Sequence, residues 1–121
     1  MKKGKCFLLW LLFGMVPTTA SFHANAKQAP GVVAISAKRF EFSPTQISLK
    51  KGEPVTLRLT TDDVKHGFFS KALQLDAELI PGKTTEVTIT PQTAGTFTTI
   101  CDSFCGSGHG NMKMTIVVEK E

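Results

Sequence analysis

Between Ile100 and Lys113 the chain carries a segment that can only be a loop held at both ends. The run Cys101-Asp-Ser-Phe-Cys105-Gly-Ser-Gly-His109-Gly-Asn-Met112 places two thiols, an imidazole and a thioether within twelve residues. The steps of four from Cys101 to Cys105 to His109 would align on one face of a helix, but Gly106, Gly108 and Gly110 alternate through the same stretch. Each glycine costs about 1 kcal/mol against alanine in a helix interior. A loop between two strands fits better, because glycine lets the main chain approach an ion closely. Soft sulfur and imidazole donors select copper, zinc or iron over magnesium or calcium. Copper is the expectation.

The first 26 residues are expected to stand outside the fold. Lys2, Lys3 and Lys5 make a basic start, Cys6 to Val16 is almost wholly apolar, and small and polar residues lead down to Ala24-Asn25-Ala26. That is the layout of a secretory signal peptide cleaved after Ala26. Eleven apolar residues are too few to span a bilayer, which needs about 20. The expectation is an exported, periplasmic protein without a transmembrane segment in its mature form. Residues 27–121 then form one small domain, large enough for a single core.

Charge excludes some function classes. Three of the fourteen basic residues belong to the leader, which leaves eleven against ten acidic ones. No nucleic-acid or polybasic membrane function can be built on so even a balance. After the leader, the histidines are His66 and His109 and the cysteines are Cys101 and Cys105. A chain that uses these residues almost nowhere else is not using them as filler.

The rest of the domain reads as β. Val55, Leu57 and Leu59 alternate with Thr56, Arg58 and Thr60, the period of two of a half-buried strand. Similar short segments cover Val32 to Phe42, Gln46 to Leu49, Thr84 to Thr90, Thr96 to Cys101 and Lys113 to Glu119, where Met114, Ile116 and Val118 share a face. Turns fall at Ser43-Pro44, Lys51-Gly52-Glu53-Pro54, Pro81-Gly82 and between Pro91 and Gly95. Lys71 to Glu78 could form a single helical turn. Seven or so short strands in under 100 residues predict an all-β Greek-key β-sandwich or small barrel.

Bland alternatives exist for each donor. A lone cysteine pair in an exported protein is by default a disulfide, yet a bridge across three residues closes a small loop of little entropic value and leaves His109 and Met112 unexplained. Zinc would accept Cys101, Cys105, His66 and His109. Met112 argues for copper, since thioether is a recurrent weak ligand in copper electron-transfer sites. His66 follows a strand and an acidic turn, where loops gather. Phe68, Phe69 and Phe104 are expected to form an apolar collar, Met114 to lie in the core, and Asp62-Asp63 to be a solvated turn. A mononuclear copper site of His66, Cys105, His109 and Met112 is one arrangement open to these donors.

The pattern Cys101-x3-Cys105-Gly-x2-His109-x2-Met112, with Asp63-Val-x-His66-x-Phe68 upstream, resembles the dicopper CuA domain of cytochrome c oxidase subunit II and nitrous oxide reductase. The resemblance covers roughly Val55 to Val118. It implies a cupredoxin fold in which Cys101 and Cys105 each bridge two copper ions and His66 and His109 bind one apiece. Met112 and the backbone carbonyl of Ser103 would be weak ligands, Ser103 standing where the family usually carries Glu. It further implies a non-enzymatic carrier of single electrons, exchanging with a cytochrome or oxidase. The alternative is a protein that holds Cu(I) and delivers it to a copper-receiving oxidase subunit.

Overall fold

The computed structural model describes residues 31–120. The expected leader, residues 1–26, lies outside the described residues. Nine strands follow one another: β1 (Gly31–Lys38), β2 (Glu41–Ser43), β3 (Gln46–Lys50), β4 (Val55–Thr61), β5 (His66–Ser70), β6 (Leu75–Leu79), β7 (Thr85–Ile89), β8 (Gly95–Ile100) and β9 (Lys113–Glu119). They form two sheets, ordered β2-β1-β4-β7 and β3-β9-β8-β5-β6. This is the all-β sandwich that the alternation predicts. Among the described residues no helix is long and apolar enough to cross a membrane.

The core follows directly from the period of two. Val55, Leu57 and Leu59 of β4 are buried, as are Ile35 and Ala37 of β1, which runs parallel to it. From the other sheet Ile47 and Leu49, Leu75, Ala77 and Leu79, and Met114, Ile116 and Val118 face them. Phe42 and Phe68 meet edge to face, ring centroids 5.5 Å apart, a preferred aromatic geometry. β9 alternates along its whole length and lies between β3 and β8, so both of its edges are paired and its inner face is buried.

Two expectations need correction. Val32 to Phe42 is not one segment but two antiparallel strands, β1 and β2, with the chain turning at Arg39–Phe40. Lys71 to Glu78 forms no helical turn. A tight turn, closed by the Gln74 N–H donating to the Lys71 carbonyl at 3.1 Å, leads straight into β6. Leu75, Ala77 and Leu79 alternate into the core, and that burial outweighs the mild helical preference of the segment. The other turns lie at the expected places, including Pro81-Gly82, where the Lys83 N–H donates to the Ile80 carbonyl at 3.0 Å.

Strand direction determines where the donors gather. β5, β8 and β9 are neighbours in the second sheet, β8 antiparallel to both. The start of β5, the end of β8 and the start of β9 therefore share one end of the sandwich. His66, Cys101 and Met112 are the residues at those three strand ends.

If β9 anchors this end, truncating its centre should weaken the whole domain. Ile116→Ala removes a fully buried side chain and should cost about 2–5 kcal/mol in urea unfolding of the metal-free protein. Val32→Ala, at a position 55% exposed, should stay within about 0.5 kcal/mol of the parent.

Candidate metal centre

The loop from Cys101 to Met112 is closed at its base by the Cys101 N–H, which donates to the Met112 carbonyl at 3.1 Å. It ends in a three-residue 3₁₀ turn, His109–Asn111. The predicted loop without an α-helix is thus observed, with short turns around His109 to present it. Cys101, Cys105 and Met112 are buried, His66 is fully so, and His109 and Ser103 are partly exposed.

All six residues singled out in the sequence come together. The Cys101 and Cys105 sulfurs lie 3.6 Å apart, well beyond the roughly 2.05 Å of a disulfide bond, and both cysteines are free. His66 Nδ1 stands 3.9 Å from the Cys101 sulfur. His109 Nδ1 is 3.7 Å and Met112 Sδ 3.8 Å from that of Cys105. The carbonyl oxygen of Ser103 turns inward, 3.1 Å from the Cys101 sulfur. Donors at about 2.0–2.3 Å from a tetrahedral ion lie roughly 3.3–3.8 Å from one another. The residues present fit a soft transition metal with little adjustment.

The donors do not form one compact set. His66, Cys101 and Cys105 have ligand atoms all within 4.8 Å of one another. His109 is outside that trio and meets it through Cys105. The sulfur pair therefore has one imidazole against each of its members.

Asp63 supports the first imidazole. Its Oδ1 lies 2.8 Å from His66 Nε2, and a carboxylate can only accept there. Nε2 consequently carries the proton, and the lone pair of Nδ1 is free to face the sulfurs. Burial alone would raise the Asp63 carboxyl. The Arg39 N–H, His66 and the Val64 N–H outweigh it and hold the group well below the usual carboxylate range. The acidic turn is thus half functional. Asp62 is exposed, while Asp63 sets the tautomer of His66. A carboxylate three residues before a candidate metal-binding histidine was the signal for this in the sequence.

Two further features escaped sequence reasoning. The Gly67 N–H donates to the Cys101 sulfur at 3.3 Å, and a Cβ at Gly67 would collide with the Asp102 carboxylate and approach the Ser103 nitrogen to 2.8 Å. Glycine is required there because loop and strand backbones touch. The apolar collar needs correction as well. Phe68 is in the core and Phe69 is half-buried, but Phe104 is 83% exposed, its ring centroid 6.1 Å from that of His109. With Cys101, the Ser103 carbonyl and Cys105 all facing inward, the intervening side chain has only the outer side left. Phe40 covers Gly106 and Gly108 of the loop instead.

Burial, then the hydrogen-bonded Cys101 thiol, pushes the Cys105 thiol up to about 11. At neutral pH that sulfur holds its proton until a cation displaces it, so binding releases protons. Removing the carboxylate that orients His66 should weaken metal retention. Asp63→Ala is expected to lower affinity by about 10–100-fold, measured by competition with a chelator of known strength.

The family model of the cupredoxin-like domain matches residues 6–118. A cytochrome c oxidase subunit 2 of Thermus thermophilus is 34% identical over 88 residues, which cover 73% of this chain and 65% of that protein. The nitrous-oxide reductase of Cupriavidus necator is 33% identical over 91 residues, 72% of this chain and 14% of the reductase. The crystal structure of the periplasmic domain of cytochrome oxidase subunit II from Bradyrhizobium japonicum superposes with a TM-score of 0.70 at 18% identity, over 78% of this chain and 87% of that one. The chain thus spans just under two thirds of the Thermus subunit and a small part of the reductase. With most of its length matched and its two-sheet fold shared with a solved oxidase domain, this chain belongs to the cupredoxin-like domain family and has cytochrome c oxidase subunit II and nitrous-oxide reductase among its relatives.

Proposed function

We propose that this protein is an exported carrier of single electrons, built around a pair of copper ions and not catalytic on its own. The observation that carries the reading is the sorting of donors around a shared sulfur pair, His66 beside Cys101 and His109 beside Cys105. One ion would need all its ligands close to one another, and His109, though 3.7 Å from the Cys105 sulfur, is outside the trio whose ligand atoms all lie within 4.8 Å. Two ions sharing both sulfurs need only the arrangement present.

On this reading Cys101 and Cys105 would bridge, His66 and His109 would each hold one ion, and Met112 and the Ser103 carbonyl would complete the two ends. A bound copper pair supplies a one-electron couple. The protein's share is to keep the ligands where they are in both oxidation states. Strand ends fix Cys101 and Met112, Asp63 fixes His66, and burial keeps water from the sulfurs. With its ligands all supplied by the chain the site has no open position for substrate, unlike catalytic metals. Electrons would pass to a cytochrome or oxidase partner on the His109 side, where that imidazole is partly exposed and His66 is not.

The mononuclear alternative leaves Cys101 a bystander. Its sulfur instead accepts a backbone N–H, faces the Ser103 carbonyl and lies against Cys105, a position that supports a shared ligand role. The expected leader, residues 1–26, and the likeness to a periplasmic oxidase domain support export.

Copper titration of the chain with residues 1–26 removed tests the proposal. Two equivalents should bind, with an electron paramagnetic resonance spectrum showing one unpaired electron spread over two copper nuclei and reversible one-electron reduction. Cys101→Ser should abolish that signal. Uptake of one copper, or only of colourless Cu(I) that passes on to an apo-oxidase, would select the mononuclear or the delivery reading instead.

A further inference from the structure

The turn between β1 and β2 belongs to the opposite sheet, yet it touches both arms of the donor set. The Arg39 backbone N–H donates to Asp63 Oδ2 at 2.7 Å, and the other oxygen of that carboxylate holds His66. The Arg39 side chain reaches the other way, its Nε–H donating to the Cys105 carbonyl at 3.0 Å. Phe40 follows immediately and lies on the loop, so that a methyl group on Gly106 would come within 2.8 Å of the ring and one on Gly108 within 2.5 Å. Between Cys105 and His109 the loop is not part of either sheet. Apart from this clamp it is closed by its own short turns, Gly106 to His109 and Gly108 to Asn111.

We propose that Arg39 is a positioning residue for the metal pair, its guanidinium locking the Cys105–His109 arm at a fixed place relative to the His66 arm. This deepens the dicopper reading and rests on it. An arginine suits the task because its planar group keeps its charge at every accessible pH and presents donors in a rigid fork. The side-chain hydrogen bond, charge-assisted, ties down a stretch of the site that no strand holds. The same charge, beside Cys105, favours the state richer by one electron. Arg39 therefore acts through the loop and through its field, without touching the metal.

Three measurements on Arg39→Gln and Arg39→Lys test this, with Arg58→Gln as the control. Arg58 is an exposed cation on β4, paired with Glu86 at 3.0 Å. They are copper(I) affinity by chelator competition, midpoint potential, and amide hydrogen exchange of residues 106–112 in the metal-free protein. Arg39→Gln should lose about tenfold in affinity, shift to a lower potential and exchange faster in the loop. Arg39→Lys should recover the potential, since it keeps the charge, but only part of the affinity. Arg58→Gln should match the parent in all three. Unchanged affinity and loop exchange in Arg39→Gln, or equal changes in Arg58→Gln, would overturn the proposal. If the parent binds a single copper the dinuclear reading fails, while affinity and loop exchange still decide for or against Arg39.

Discussion

The hydrogen bond from the Cys101 N–H to the Met112 carbonyl, made where β8 ends and β9 begins, is the contact on which the site depends. It turns two adjacent strand ends into a rigid base for a loop that lacks regular structure above them. β5 lies against β8 on the other side and brings His66 to the same level. A donor from one strand end and donors from a loop that begins 35 residues further along the chain would otherwise each lose conformational entropy to meet. The sandwich has already fixed them, so the geometry is ready before any ion arrives.

Burying such polar groups has consequences for their surroundings. A buried imidazole without a partner would be costly, and Asp63 answers this for His66. The Cys101 sulfur receives the Gly67 N–H, which is possible only because glycine lets β5 touch the loop. Arg39 and Phe40 come from the far sheet and close the outer side. The end of the sandwich is thus knitted from both sheets, with His109 and the exposed Phe104 as its outermost features.

How much of this was legible in the sequence differs by residue. The strands with a strict alternation, β4 and β9, could be read off almost to the residue, because one buried face dictates the pattern. β1 and β2 merged into one segment since nothing in Lys38-Arg39-Phe40-Glu41 spells a conventional turn. β6 was blurred by residues of mixed preference and is decided by tertiary burial. His66, Cys101, Cys105, His109 and Met112 were readable from chemical type and spacing, Ser103 only through the family resemblance, and the structure gathers all six. Their supports were not. An aspartate in an acidic pair resembles a solvated turn, Phe104 could be placed inside or outside only once its neighbours were known to face inward, and Arg39 is 66 residues from the carbonyl it holds. Contacts between distant segments leave no local mark.

In the proposed centre two cysteine sulfurs are held in common by two metal ions. X-ray absorption at the copper edge of the loaded protein measures this most directly. About two sulfur neighbours per copper are expected, together with scattering from a second copper close by. A single sulfur per copper with no neighbouring metal would contradict it.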